Sequence, residues 1–156
     1  MLLGDTLLSE FPSEEVKMVV AHELGHQAHR HLEQGLLLGA VWSGMGFWIL
    51  KAGESMWAEL FNAPSISHFS FFPGLLLLGV VVNSLTLPFQ NGLSRHWEYE
   101  ADRFALLHGG SVEVFASLMK RLAGLNLADV APPRWIEFCL HDHPSIQNRI
   151  RHALVS

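Results

Sequence analysis

Residues 22 to 26 read HELGH. On a helix, His22 and His26 stand one turn apart on one face, so two imidazole nitrogens can hold one zinc ion while Glu23 sits beside the position left open. That is the arrangement of a zinc hydrolase. A catalytic zinc takes three protein ligands and keeps a fourth position for water, so a third ligand has to come from elsewhere in the chain. His29 lies on roughly the same face as His22 but about 10 Å further along the axis, too far to close a tetrahedron. Ten residues after His22, where metzincins place a third histidine, stands Leu32. Better candidates lie in SRHWEYEADRFAL, residues 94–106, where Glu98 and Asp102 are four apart and share a helical face. A carboxylate there can reach a metal while Asp102 orients a histidine or an arginine. Glu100 points about 200° away from Glu98 around the helix, which suits a surface or an interface. Surface pairing of Glu98, Asp102 and Arg103 fits the same spacing, and the residues alone leave the third ligand open.

The elements that must position these groups are helical. Pro12 and Ser13 followed by Glu14 and Glu15 read as a helix start, with Ser13 as N-cap and the carboxylates near the positive end of the helix dipole. From Glu14 to Glu33, Val16, Val19, Val20 and Leu24 recur at helical spacing, so HELGH falls in the middle of a long helix. Gly25 inside that helix costs about 1 kcal/mol relative to Ala and marks a place where another backbone or a ligand comes close. A second helix is expected over Ser94–Leu107, ended by Gly109 and Gly110, and a third from Ser111 as cap to about Ala123. Pro132 and Pro133 open a short connecting segment, and a last helix starts at Pro144. The sequence offers no convincing strand and no internal repeat.

Composition bounds the function classes. At 156 residues the chain has the length of one domain, and a net charge of -5 without a Lys/Arg cluster argues against nucleic acid as a partner. Cys139 is the only cysteine, so no internal disulfide can form. Charged residues make up 16% of the chain, against about 25% in ordinary soluble domains. The apolar surplus is concentrated in two charge-free stretches, Gly35 to Leu50 and Phe69 to Phe89. A helix of about 20 apolar residues crosses a bilayer, so both read as membrane spans, the first with help from Leu32 or the stem of Lys51. The alternative is a buried hairpin in a soluble protein, for which Pro73, Asn83, Ser84 and Pro88 speak. Gly35 and Gly39, with Gly44 and Gly46, would permit close helix packing in the first span. Only Lys51 of the ten Lys and Arg lies between the stretches, so the positive-inside tendency puts both flanks in the cytoplasm, where they can combine into one site. No ionisable residue lies in either stretch, which counts against a transport path. Met1 to Leu8 has no basic n-region and is too short for an h-region, so no cleavable signal peptide is expected.

HELGHQAHRH is followed, after the apolar hairpin, by SRHWEYEADRFAL and then by HPSIQNRI. In that order the three strings resemble the membrane-bound zinc endopeptidases of the CAAX-prenyl-protease and HtpX type, whose pattern is HExxH with a further His five residues on, then SRxxExxAD, then HPxxxxRI. The opening GDTLLSEFPSEEVKMVV is also similar to the segment leading into that family's zinc helix. The resemblance implies a mainly α, zincin-like helical metalloprotease domain, with a two-helix transmembrane hairpin inserted between the HExxH helix and the ExxxD helix. It divides the single domain into a zinc-helix region (1–34), a membrane hairpin (35–89) and a third-ligand helix with C-terminal helices (90–156). It implies one zinc on His22, His26 and Glu98, with Glu23 as catalytic base and Asp102 supporting from behind the ligands. His143 and Arg149 would line the cleft and help hold substrate or the developing oxyanion. His31, Arg95 and His29 are lesser candidates for support; His68, His96, His108, His141 and His152 read as structural or exposed.

The implied partners are a protein or peptide substrate and the lipid bilayer of a plasma or inner membrane, with the site facing the cytoplasm. Members of the family have more chain ahead of this point, so by this resemblance the sequence looks like the C-terminal part of a longer enzyme, a shortened gene product or an unusually small member. A catalytically silent zinc-binding membrane module, or a partner-binding fragment, is the rival reading.

Overall fold

Glu15, Met18, Ala21 and Gly25 recur every three or four residues and form the buried face of the first described helix, α1 (Ser13–Ala28). The computed structural model describes residues 10–125, 127 and 129–155. Met1 to Leu8 therefore lies outside the described residues. Six further α-helices follow: α2 (His31–Ala52), α3 (Glu54–Leu60), α4 (Phe72–His108), α5 (Val112–Leu125), α6 (Arg134–Leu140) and α7 (Ile146–Ala153). Among the described residues there is no strand, in keeping with the mainly α expectation.

Several boundaries differ from the sequence reading. Helix α1 begins at Ser13 itself with Pro12 in the cap position, where the fixed proline φ serves, so Ser13 is not the N-cap. The run from Glu14 to Glu33 is not one helix: it breaks at His29–Arg30, where Arg30 takes a left-handed φ of 57°. Phe72 to His108 is a single helix rather than two, with Pro88 inside it. Pro88 lacks the N–H that Ser84 would accept, yet the helix continues because only one bond is lost. The segment opened by Pro132 and Pro133 forms the short helix α6, and α7 starts at Ile146 with the Ser145 hydroxyl accepting from the Asn148 N–H at 3.4 Å.

The chain divides into two compact units, Met1–His31 with Pro88–Ser156, and Leu32–Leu87. In the first, α1 runs antiparallel to the last part of α4. A Cβ on Gly25 would stand 3.0 Å from the Ala101 Cα, and one on Gly109 would stand 3.1 Å from the Met18 Cα. The close backbone approach expected at Gly25 is thus made by Ala101. Phe115, Leu118 and Met119 of α5 close the core over Met18, Ala21 and Ala105, with Ile146, Ile150 and Ala153 of α7 against them. Glu15 clamps α1 to α5, accepting from the Ser117 hydroxyl at 2.7 Å and from Arg121 Nε at 2.9 Å.

The second unit holds α2, α3, a 3-10 turn (Phe69–Phe71) and the start of α4. Phe61 packs edge-on against the buried Phe71 ring and against Gly74, where a Cβ would meet the Phe61 ring at 2.6 Å. Among the described residues two helical stretches, His31–Ala52 and Phe69–His108, are long and apolar enough to cross a membrane. Leu36, Leu37, Phe47, Trp48 and Leu85 on them are exposed among the described residues. The space over Gly39, Gly44 and Gly46 is open, so these glycines mediate no close helix approach among the described residues.

Candidate metal centre

The antiparallel contact of α1 with α4 decides which side chains meet. Small residues at the crossing, Gly25 and Ala101, let the backbones approach, and His22 and His26 then face Glu98 and Asp102. His22 Nε2 lies 3.1 Å from His26 Nε2 and 3.6 Å from Glu98 Oε2; His26 Nε2 lies 3.3 Å from Glu98 Oε1. Glu98 and Asp102 are buried, so the surface-pair reading of this face does not hold.

These distances can be compared with what a metal requires. Ligand atoms at 2.0–2.1 Å from a tetrahedral zinc are separated from one another by about 3.3 Å. The three edges found here bracket that value, and the donor set of two imidazoles and one carboxylate suits the ion. Charge fits as well: Glu23, Glu98 and Asp102 against Arg149 leave two net negative charges, which a divalent cation balances.

Outer partners hold the candidate ligands in place. Asp102 Oδ1 accepts from His22 Nδ1 at 3.0 Å, which leaves the Nε2 lone pair directed at the site. Asp102 also receives a two-pronged contact from Arg149, Nε to Oδ2 at 2.8 Å and Nη2 to Oδ1, while Arg149 Nη1 stands 3.5 Å from Glu98 Oε2. His143 Nε2 is 3.4 Å from Glu98 Oε1, and its Nδ1 donates to Asp142 at 2.9 Å. Glu23 is exposed beside His26.

The electrostatics follow from these contacts. Both carboxyl groups lie beyond the charge-free part of α4. Burial pushes the Glu98 carboxyl up, but the His26 hydrogen bond and the charges of Arg149, His143 and His22 outweigh it and hold the group below its ordinary range. Asp102 shows the same contest, with burial opposed by the His22 and Arg149 hydrogen bonds, and it too ends lowered. His26 is raised, chiefly by its hydrogen bond to Glu98 and against the opposing effect of burial.

Seven residues singled out from the sequence lie in or beside one cluster: His22, Glu23, His26, Glu98, Asp102, His143 and Arg149. Arg149 is 13% exposed and engaged with two carboxylates. Arg95 instead braces α6, donating to the carbonyls of Glu137 at 2.9 Å and of His141. Three further groups support the cluster from outside. His31 Nδ1 is 2.9 Å from His26 Nδ1, Glu100 Oε2 is 3.1 Å from His31 Nε2, and Asp142 holds His143. Glu100 is half-buried and tied to His31 rather than merely surface or interfacial. On an unbroken helix His26 and His31 would be about 140° apart, so their meeting depends on the turn at Arg30, which no glycine announces.

The model of peptidase family M48 matches residues 1–155. An uncharacterized metalloprotease, YhfN, of Bacillus subtilis (strain 168) is 29% identical over 98% of this chain and 37% of its own length. Protease HtpX of Acinetobacter baylyi is 24% identical over 92% of this chain and 54% of its own. A CAAX prenyl protease 1 homolog of Oryza sativa subsp. japonica is 28% identical over 96% of this chain and 36% of its own. The chain thus spans between about a third and about half of the length of these relatives.

Proposed function

The chain belongs to peptidase family M48, and from that membership we propose that it carries the zinc centre of a membrane-embedded metalloendopeptidase that hydrolyses peptide bonds of membrane or membrane-associated proteins. The observation that carries this is the convergence of His22, His26 and Glu98 on one point with edges of 3.1 to 3.6 Å. His22, His26 and Glu98 hold one zinc per chain, and Asp102 fixes His22. When bound, zinc supplies Lewis acidity that activates water and polarises the scissile carbonyl.

The chain's own groups do the remaining work. Glu23, exposed and free of the ligand set, takes a proton from the attacking water and passes it to the leaving amine nitrogen. His143, 57% exposed and anchored through Nδ1 on Asp142, presents Nε2 at the rim, where it meets the carbonyl oxygen as charge develops on it. Arg149, with its guanidinium committed to Asp102 and Glu98, holds those carboxylates in register rather than reaching substrate. Residues 1–34 and 90–156 form the peptidase part and 35–89 the membrane hairpin; the exposed apolar side chains of α2 and of early α4 support insertion into a bilayer. Nine of the ten Lys and Arg flank the hairpin, which favours a cytoplasmic site in a plasma or inner membrane.

The test uses the whole chain in detergent, with zinc measured per protein and cleavage of a casein-like substrate followed with and without chelator. Glu23→Gln is expected to retain zinc and lose activity by about 10²-fold or more. His22→Ala is expected to lose both. An active Glu23→Gln protein overturns the assignment of the base, and zinc without cleavage in the unsubstituted chain favours the silent module.

A further inference from the structure

His22 and His26 face the same point but are supported differently. His22 leans on a carboxylate directly, whereas His26 meets a second imidazole that leans on one. We propose that His31 is a positioning residue for the metal: His31 Nδ1 accepts from His26 Nδ1–H, and its own Nε2–H donates to Glu100, which fixes His26 with its Nε2 lone pair toward His22 and Glu98. The inference rests on the zinc reading above and assigns to His31 and Glu100 together the part that Asp102 plays for His22.

Proton bookkeeping along the chain leaves one arrangement. His26 Nε2 is the atom turned to the site, so its proton resides on Nδ1. His31 Nδ1, 2.9 Å away, must then be the acceptor, and a neutral His31 carries its proton on Nε2, 3.1 Å from Glu100 Oε2. The His31 ring is 4% exposed and lies between two planes, Trp97 at 5.3 Å and His29 at 5.5 Å, each within 15° of parallel. Its orientation is therefore set by packing, and the turn at Arg30 delivers it there.

A rival use of the same residues is a second metal site, since ligand atoms of His29, His31 and Glu100 also lie within 4.8 Å of one another. A cation there would take the His31 Nε2 lone pair and put the His31 proton on Nδ1, facing His26 Nδ1. His26 would have to move its proton to Nε2, where the first metal binds. The two groups exclude each other, so the relay is the use compatible with a filled catalytic centre.

Two substitutions separate hydrogen bonding from packing. His31→Phe keeps a ring between Trp97 and His29 but removes the acceptor, and His31→Asn loses the ring but can place Oδ1 where Nδ1 stood. With the full chain in detergent, competition against a chromophoric chelator is expected to show zinc held about 10- to 100-fold more weakly by His31→Phe and within about threefold of the unsubstituted protein by His31→Asn. Unchanged affinity in His31→Phe, with zinc present in the unsubstituted protein, overturns the proposal while leaving the metal reading intact. Equal losses in both variants mean a packing role and overturn it too. If neither variant folds, nitrogen NMR of histidine in the unsubstituted zinc-loaded protein decides directly. Protons on His26 Nδ1 and His31 Nε2 support the relay, and a proton on His31 Nδ1 overturns it. Absence of stoichiometric zinc in the unsubstituted protein is the separate result that removes the metal reading and this inference with it.

Discussion

Replacing Arg149 with Met would strand the Asp102 carboxylate in the interior. Asp102 is 2% exposed and receives two contacts from Arg149 and one from His22, so the substitution removes two of its three polar contacts at this corner. It also removes the guanidinium 3.5 Å from Glu98. Breaking a buried ion pair by deleting one partner costs about 3–5 kcal/mol, and the surviving His22 bond places this case near the lower end, about 3 kcal/mol. That is roughly a 150-fold change in the unfolding equilibrium. Urea denaturation of the detergent-solubilised, chelator-treated protein, followed by far-UV circular dichroism, measures it. A double-mutant cycle with Asp102→Leu isolates the coupling, expected at about 2 kcal/mol or more because the two residues share one network. The double variant recovers only part of the loss, since His22 Nδ1 is left without its acceptor. A cost below about 1 kcal/mol for Arg149→Met, the range of solvated pairs, would refute the claim that this guanidinium is a buried brace.

Gly25→Ala gains about 1 kcal/mol in helix propensity but drives a methyl to 3.0 Å from Ala101 Cα and 3.1 Å from Phe104 Cβ. With overpacking costing about 1–3 kcal/mol, a net loss in thermal stability is expected, and unchanged or raised stability would show that α1 and α4 can part freely. Asp102→Asn, which weakens the acceptor for His22 Nδ1, is expected to lower zinc affinity about 10- to 100-fold in chelator competition. Glu137 accepts from Ser145 N–H at 3.2 Å and from Asn148 Nδ2 at 2.9 Å; burial pushes its carboxyl up, but these bonds prevail and hold it below the ordinary 4.5. A lowered carboxyl contributes stability above its unfolded value and loses it as pH falls through the folded one. The stability difference between the unsubstituted protein and Glu137→Gln should therefore be full above about pH 4.5 and shrink below it in denaturation measured across that range.

The chemistry was more legible than the connections. HELGH, Glu98 with Asp102, and His143 with Arg149 all lie on helices or helix entries whose local spacing is visible in the chain, and Gly25 flagged the crossing that joins them. What escaped was set by tertiary context. Arg30 adopts a left-handed φ without being Gly or Asn, so the pattern of apolar residues ran straight through the end of α1. Spacing on a continuous helix would set His31 apart from His26 and turn Glu100 outward, although the turn brings the three together. The sequence separates an apolar stretch ending at Phe89 from a helix starting at Ser94, yet α4 runs unbroken through Pro88 and across that gap with the loss of a single backbone bond. Glu15 does stand in the first turn of α1, but it is also buried under Ser117 and Arg121 from a helix about a hundred positions away, which no local pattern encodes.

The most direct measurement is zinc K-edge X-ray absorption on the purified full chain, with metal content determined on the same sample. One zinc per chain is expected, with two imidazole nitrogens and light oxygen ligands at about 2.0–2.2 Å, and with the imidazole signal lost in His22→Ala. A protein that holds no stoichiometric zinc after exposure to the metal, or whose zinc shows no imidazole scattering, would contradict the convergence of His22, His26 and Glu98 on a single ion.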